Sequence, residues 1–372
     1  MSLNQAAWIN AKGQPLSVSE APMPRPGAGE ILVRNRAIAL NSFDGIVQTL
    51  GSMVTPWVSY PAILGSDVAG EVVVVGASVS RFKPGDRVLG LALGIDKIAN
   101  RSVEGAFQKY VILRQEAATE LPDSISFERA AVLPLAIATA ACGLFLDDQL
   151  GLRAPSVQRS EPTGKTVLIW GGSTCVGSAA IQLAVAAGYE VVTTASPKNF
   201  DYVRGLGASY VFDYNDTDVV VTMAKHLADR DMAGALAIAV GSGASCIDVM
   251  SRCRGQRMVS MASSPLPIND APLTRQFFWK LTRLPQLAAG FLGLAIRARV
   301  RGVATRAIWG TALMKGTLGK QIFNEFLGPA LASGRLVPAP KPLVVGHSLE
   351  ALPEALALLR RGVSASKVVV SL

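Results

Sequence analysis

Candidate metal ligands are scarce in this 372-residue chain, which holds two histidines and four cysteines. The cysteines, Cys142, Cys175, Cys246 and Cys253, form no CxxC pair, and Cys246 and Cys253, two helical turns apart, read as packing residues. Scattered thiols predict reduced cysteines and a cytoplasmic protein rather than a disulfide-stapled secreted one. The first residues lack a charged segment followed by an apolar core, so no signal peptide is expected. Long apolar runs are lacking too: the most membrane-like stretch, residues 284–296, falls short of the ~20 residues that a span needs. It is expected to be a buried helix, a pocket wall or, with Lys280, Arg283, Arg297 and Arg299 beside it, a helix lying on a membrane surface. Charged residues make up only 17% of the chain against 50% hydrophobic ones, which argues against disorder and predicts a large core. The formal charge of +9 points to an anionic partner, but no Arg/Lys-rich arm interleaved with aromatics is present, which argues against nucleic acid.

The length predicts two domains. The first ~135 residues read as β-rich, with β-branched runs at 31–40 and 67–76 and a further strand at 106–114, separated by the turn sequences PRPGAGE and FKPGDRV. From residue 127 a helix capped by Ser126 is expected. Between 166 and 264 strands and helices alternate: strands at 166–170, 190–195, 210–214, 235–240 and 257–262, helices at 176–187, 199–206, 218–228 and 244–252. Apolar strands joined by helical crossovers predict a parallel sheet covered on both faces. A helical insertion at 273–301, a sixth strand at 304–313 and a helix at 320–332 follow, and the tail returns to strand-like pieces around a helix at 349–361. A β-rich start and end around an α/β centre predict that both termini build one domain.

Residues 166–186, TVLIWGGSTCVGSAAIQLAVA, read as strand, sharp turn and small-residue helix. That geometry presents backbone N–H groups and a positive dipole end to a phosphate. Gly172 and Gly177 stand where a dinucleotide fingerprint has its first and third glycines, and Thr174 replaces the middle one. The next strand ends at Ala195-Ser196 without the acid that would accept from a ribose 2′-hydroxyl. Ser196 and Lys198 offer a hydroxyl and an ammonium to a 2′-phosphate instead, which predicts NADPH.

The strings GSDVAGEVVVVGASVSRFKPGDRV (65–88), GAFQKYVIL and AAVLPLAIATAACGLF resemble the medium-chain dehydrogenase/reductase superfamily. The central TTASPKNFDYVRGLGASYVFDYND and the tail PLVVGHSLEALPEALALLRRGVSASKVVV are similar to one branch of it: the zinc-independent quinone-oxidoreductase-like enzymes and the trans-acting enoyl reductases of fungal polyketide pathways. The resemblance implies an α/β protein in two parts. A GroES-like β-rich domain would come from residues 1–136 and 320–372, and a Rossmann doubly wound parallel sheet that binds NADPH from 137–319. It further implies phosphate contacts from Ser173, Thr174, Cys175 and Val176, 2′-phosphate contacts from Ser196, Lys198 and Tyr214, and a nicotinamide carboxamide contact from Thr139. Gly172, Gly177 and Gly241 complete the expected cofactor-binding set. The Thr174 side chain narrows the approach to the pyrophosphate, and its hydroxyl is a candidate phosphate donor.

Zinc-dependent relatives hold the metal with Cys and His in the first domain, where this chain has Asn41 and Ser66-Asp67. The histidines, His226 and His347, lie far away in sequence, and no four-cysteine lobe lies between Gly90 and Glu104, so no metal site is expected. Without a Lewis acid, conjugate reduction fits best: hydride goes to the β-carbon of an α,β-unsaturated carbonyl while donors steady the developing enolate. Asn41 and Asp44 match the family's NxxD segment and are expected to position groups near the nicotinamide, with a structural turn as the alternative. Tyr60, in the lid-like segment 48–60, is the candidate proton donor, with pocket lining as the alternative. Residues 277–296 are expected to form an acyl- or ring-binding wall, or core. The expected function is NADPH-dependent, metal-free reduction of an enone, enoyl thioester or quinone. The alternatives are an NADPH-binding redox sensor or scaffold without turnover, and a zinc-type alcohol dehydrogenase. The positive charge suits an acidic acyl carrier domain as well as a nucleotide, and a homodimer would pair at 304–313, the edge strand used by relatives.

Overall fold

The computed structural model describes residues 3–268, 271–273 and 276–372. The chain divides into two units, one of Met1–Leu135, Ile268–Trp279 and Gly319–Leu372, the other of Ala136–Pro267 and Lys280–Leu318. Residues 268–279, expected in the nucleotide-binding part, group with the first unit.

The first unit is built around the strand Glu30–Ala39, whose inward side chains, among them Ile31, Val33 and Ile38, are fully buried. It pairs antiparallel with Asp67–Val75 on one side and with Ser366–Ser371 on the other, so the last strand of the chain completes a sheet begun near its start. Ala39 lies opposite both Asp67 and Val369 in this register. That alignment gathers residues around 40, 67 and 367 at one end of the sheet.

The second unit is a parallel sheet. Its strands lie in the order Tyr210–Asp213, Glu190–Ala195, Lys165–Trp170, Asp231–Ala237, Met258–Met261 and Ala304–Ala307, with Arg254–Gly255 added beside Asp231–Ala237. This is the doubly wound 3-2-1-4-5-6 order, which reverses beside the first strand, Lys165–Trp170. Leu168, Val192, Ala235 and Val259 from the strands pack with Met223, Leu227, Ile247 and Met250 from the helices. Cys246 and Cys253 are buried in the same core as free thiols.

Several elements differ from expectation for identifiable reasons. The helix expected after Ser126 is two: Ser126 accepts the Arg129 N–H at 3.3 Å to cap Phe127–Ala130, and Pro134 opens a second helix, Pro134–Phe145. Proline has no N–H to extend the preceding turn. Residues 127–145 also form the described stretch long and apolar enough to cross a membrane, and most of it is buried within the fold. The helix at 320–332 carries a π-helical stretch, Gln321–Leu327, just before Pro329. There the missing proline N–H withholds the i+4 donor from Glu325. The edge strand is shorter than expected, Ala304–Ala307. The helical insertion runs over Gln276–Arg301, and the expected start at 273–275 includes residues outside the described ones. Arg297 anchors it by donating to Asp248 Oδ1 at 2.8 Å, and Ala298 is buried. Leu281, Leu292, Ile296 and Val300 are exposed, so along them this segment is neither core nor an enclosed wall.

Candidate functional site

The strand Lys165–Trp170 ends at Gly171, whose φ of +100° lies in the region that side chains disfavour. Gly171 N–H donates to Thr194 Oγ1 at 3.0 Å and Gly172 N–H to the Thr194 carbonyl at 2.9 Å, fastening the turn to the neighbouring strand. A Cβ on Gly172 would stand 2.2 Å from Thr193 Oγ1, and one on Gly177 would stand 2.1 Å from the Gly171 carbonyl oxygen. Gly177 is therefore required by close backbone approach, and Gly172 by tight packing against the Thr193 side chain. Thr174 is the N-cap of the helix Cys175–Ala186: its hydroxyl accepts the Gly177 N–H at 3.0 Å and donates to the Gly171 carbonyl at 2.8 Å. The one hydroxyl hydrogen of Thr174 is thus committed within the turn and is not offered to a phosphate. Ser173, Cys175 and Val176 sit at the positive end of the helix, where an anion is favoured.

The adjacent strand, Glu190–Ala195, leads into a 3₁₀ turn, Pro197–Asn199, that carries exposed Lys198. Ser196 Oγ accepts from Asn199 Nδ2 at 3.1 Å, which leaves its own hydrogen as a donor. Parallel pairing places Asp213 beside Ala195, so Asp213 and exposed Tyr214 arrive next to Ser196 through the sheet rather than along the chain. The Asp213 carboxylate accepts from the Asn215 N–H and from Asn215 Nδ2, both at 2.9 Å. Thr139 is half-buried on the helix Pro134–Phe145. Gly241, at φ +78°, caps the helix Ser242–Met250 and donates its N–H to the Ser264 carbonyl at 3.1 Å.

In the first unit, Asn41 precedes the helix Ser42–Leu50 and meets Asp44, Asp67 and Lys367. Asn41 Nδ2 donates to Asp67 Oδ2 at 2.8 Å, and the Lys367 ammonium lies 2.9 Å from the same oxygen and also donates to Asn41 Oδ1. Asp67 Oδ1 accepts the Leu135 N–H at 2.6 Å. The Lys367 and Asp67 side chains are 3% and 0% exposed, which makes this a buried ion pair. Asp44 Oδ2 accepts the Asn41 N–H at 2.7 Å. Burial pushes the Asp44 carboxyl up to about 7, with repulsion from Asp67 adding to the rise, while hydrogen bonds from the Asn41 and Gly65 N–H groups and the Lys367 charge oppose it. Tyr60 stands apart from this cluster. Its hydroxyl is buried without a hydrogen-bond partner among the described residues, close enough to Gly51 that a Cβ there would lie 2.6 Å away, and burial pushes the phenol up. Lys367 was not singled out from the sequence. Its signal is a lone cation at the head of the apolar strand KVVV.

Residues 27–123 match the alcohol dehydrogenase GroES-like domain family, and residues 175–279 match the zinc-binding dehydrogenase family. The chain is similar to the dehydrogenase pigH of Monascus ruber, 46% identical over 373 residues with 100% of both chains covered. It is also similar to the trans-enoyl reductase himH of Aspergillus japonicus, 37% identical over 374 residues, covering 100% of this chain and 98% of that one. Among solved structures, the quinone oxidoreductase of Pseudomonas syringae pv. Tomato DC3000 has a TM-score of 0.68 at 23% identity, covering 99% of this chain and 100% of that one. The chain belongs to the medium-chain dehydrogenase/reductase superfamily, with its GroES-like domain and Rossmann-type parallel sheet. It is an oxidoreductase of that type, in a family that binds a nicotinamide cofactor and acts on small molecules.

The nicotinamide cofactor fits the second unit, where close-packed glycines and a helix N-terminus form a phosphate cradle. Zinc, implied by one family's name, does not fit the residues at hand. Asn41 supplies a carboxamide, and the Asp67 carboxylate already holds an ammonium that would repel a metal cation. Among the described residues, no group of three or more His, Cys, Asp or Glu side chains comes together.

Proposed function

We propose that this oxidoreductase is an NADPH-dependent reductase of conjugated carbonyl compounds, working without a metal on an enone, an enoyl thioester or a quinone. The cofactor preference is supported by one observation: the end of the second strand itself carries a hydroxyl donor and a cation, and no acid of its own. Ser196 keeps a hydroxyl hydrogen, Lys198 is a cation, and the acid Asp213 on the neighbouring strand has its Oδ1 engaged by Asn215. Ser196, Lys198 and Tyr214 would hold the 2′-phosphate. Ser173, Cys175 and Val176, with Thr174 shaping the turn, would hold the pyrophosphate, Gly172, Gly177 and Gly241 would let the backbone approach, and Thr139 would meet the carboxamide. Bound NADPH supplies the hydride.

The chain's own task is to orient the substrate carbonyl and stabilise the oxygen charge that grows as the double bond is reduced. Asn41 would supply the donor for this, with Asp44 fixing its backbone. Tyr60 is kept as the candidate proton donor, although its buried hydroxyl favours the pocket-lining role. The substrate class is supported by the names of the himH and Pseudomonas syringae proteins. An acidic acyl carrier partner is supported by the +9 charge, a homodimer by the parallel edge strand Ala304–Ala307, and a cytoplasmic location by the free cysteines.

Calorimetric titration with NADPH and NADH, followed by NADPH oxidation over a panel of enones, enals, quinones and acyl thioesters, tests the proposal. Tighter binding of NADPH and turnover of a conjugated carbonyl are expected. Tighter NADH binding would overturn the cofactor reading, and NADPH binding without oxidation over the whole panel would favour the redox sensor.

A further inference from the structure

Lys367 is costly where it stands. It lies in the strand Ser366–Ser371 among the fully buried Val368, Val369 and Val370, and an ammonium stripped of water is tolerated only when paired. Pairing with Asp67 makes it tolerable but does not explain it, because an apolar pair of similar volume generally packs as well or better. What the ion pair does accomplish is seen at Asn41. A carboxamide can present either its oxygen or its N–H₂ to a ligand, and its surroundings decide which. An ammonium only donates, so the Asn41 atom it contacts is Oδ1, and Nδ2 is turned to the Asp67 carboxylate at 2.8 Å. Both members of the pair impose the same orientation. Of the two N–H bonds on Nδ2, Asp67 takes one, and Asn41 itself is only half-buried. The opposite orientation would set N–H₂ against the ammonium and the carbonyl oxygen against the carboxylate.

We propose that Lys367 is a positioning residue: paired with Asp67, it locks the Asn41 carboxamide so that an amide N–H, rather than the carbonyl oxygen, is presented to the substrate's carbonyl oxygen. This rests on the conjugate-reduction reading, in which that oxygen becomes negative. A locked donor stabilises the charge without reorganising, whereas a free carboxamide would rotate its dipole during the reaction. Lys367 acts through Asn41 and does not itself touch substrate.

The test removes the pair together, as Lys367→Met/Asp67→Leu, so that no lone buried charge remains. The double variant is expected to bind NADPH as the parent does and to lose 10- to 100-fold in kcat on an accepted enone or quinone, with KM changed less than threefold. Asn41→Leu is expected to lose a similar factor, and adding it to the double variant to cost little more. Lys367→Arg, which keeps a cation beside Asp67, should recover most of the loss. Unchanged kcat in a folded, NADPH-binding double variant would overturn the proposal. Should the double variant not fold, Asn41→Asp decides: it keeps shape and a partner for Lys367 but removes the donor. A fall in kcat like that of Asn41→Leu is then expected, and unchanged kcat overturns the lock. If the parent reduces no conjugated carbonyl, the functional reading fails by itself. The lock is then judged by unfolding of Lys367→Met/Asp67→Leu, Asn41→Leu and their combination: non-additive losses support it, additive ones overturn it.

Discussion

The hydroxyl of Thr174 bridges the phosphate-binding turn internally, accepting the Gly177 N–H at 3.0 Å and donating to the Gly171 carbonyl at 2.8 Å. A residue that departs from the glycine pattern therefore does the work of an N-cap. Thr174→Ala should destabilise the protein by about 1 kcal/mol, and Thr174→Gly by a few tenths. Both should keep NADPH affinity within about threefold, because the lost hydroxyl bonds lie within the chain. Thermal unfolding and calorimetry read the two effects separately. A tenfold loss of NADPH affinity at unchanged stability would show that the hydroxyl serves the cofactor after all.

Gly177→Ala is expected to be severe. Its Cβ would lie 2.1 Å from the Gly171 carbonyl oxygen, a backbone atom that cannot rotate away, so a loss of about 1–3 kcal/mol and of NADPH binding should follow. Gly205→Ala is the control, since a Cβ there meets nothing within 4 Å at the end of the helix Phe200–Gly205. It should be neutral or stabilising by up to about 1 kcal/mol. Equal effects at the two sites in denaturant unfolding would argue against the close-approach explanation.

Asp44 should leave a mark on the pH dependence of stability. Its carboxyl rises from 3.8 to about 7 on folding, so between those values the folded state binds a proton that the unfolded chain has released. Stability from this group is complete below about pH 4, falls as pH rises toward about 7, and levels off above, with a slope on the order of 1.4 kcal/mol per pH unit inside the window. Denaturant midpoints across pH 4–8 for the parent and Asp44→Asn read this out. The variant is expected to flatten the curve in that window, and parallel curves would show that Asp44 stays ionised throughout.

Tyr60→Phe removes a buried hydroxyl that has no partner among the described residues, so stability should hold or rise by up to about 1 kcal/mol. Turnover should be unchanged, which would take Tyr60 out of the proton-transfer step. A fall of tenfold or more in kcat at constant KM would instead establish the phenol as the proton donor.

Much of the fold was legible because it follows local rules. Apolar runs between turn residues mark the strands of the second unit to within a few residues, and Gly172 and Gly177 mark its phosphate turn. The misses have non-local or competing local causes. Pro134 and Pro329 break patterns that hydrophobic periodicity alone continues. Asp213 arrives beside Ala195 by parallel pairing, so it is not legible along residues 195–199. Residues 281–300 carry the apolar density of a core helix, yet Leu292 and Ile296 face solvent, because periodicity shows that a face is apolar and not what covers it.

The candidate active residues divide in the same way. Asn41 and Asp44, three residues apart, were found as a pair because a helix start makes them neighbours. Their partners Asp67 and Lys367 lie 26 and 326 residues from Asn41, and only the sheet register joins them. The sequence by itself determined the superfamily, the two kinds of domain and the nucleotide turn, since those depend on periodicity, glycine placement and residue chemistry within short windows. Tertiary structure decided that Thr174 caps a helix, that Asp44 loses its water, and that an ammonium holds Asn41 in one orientation. Each of those depends on burial and on which strands lie side by side, quantities that no local window contains.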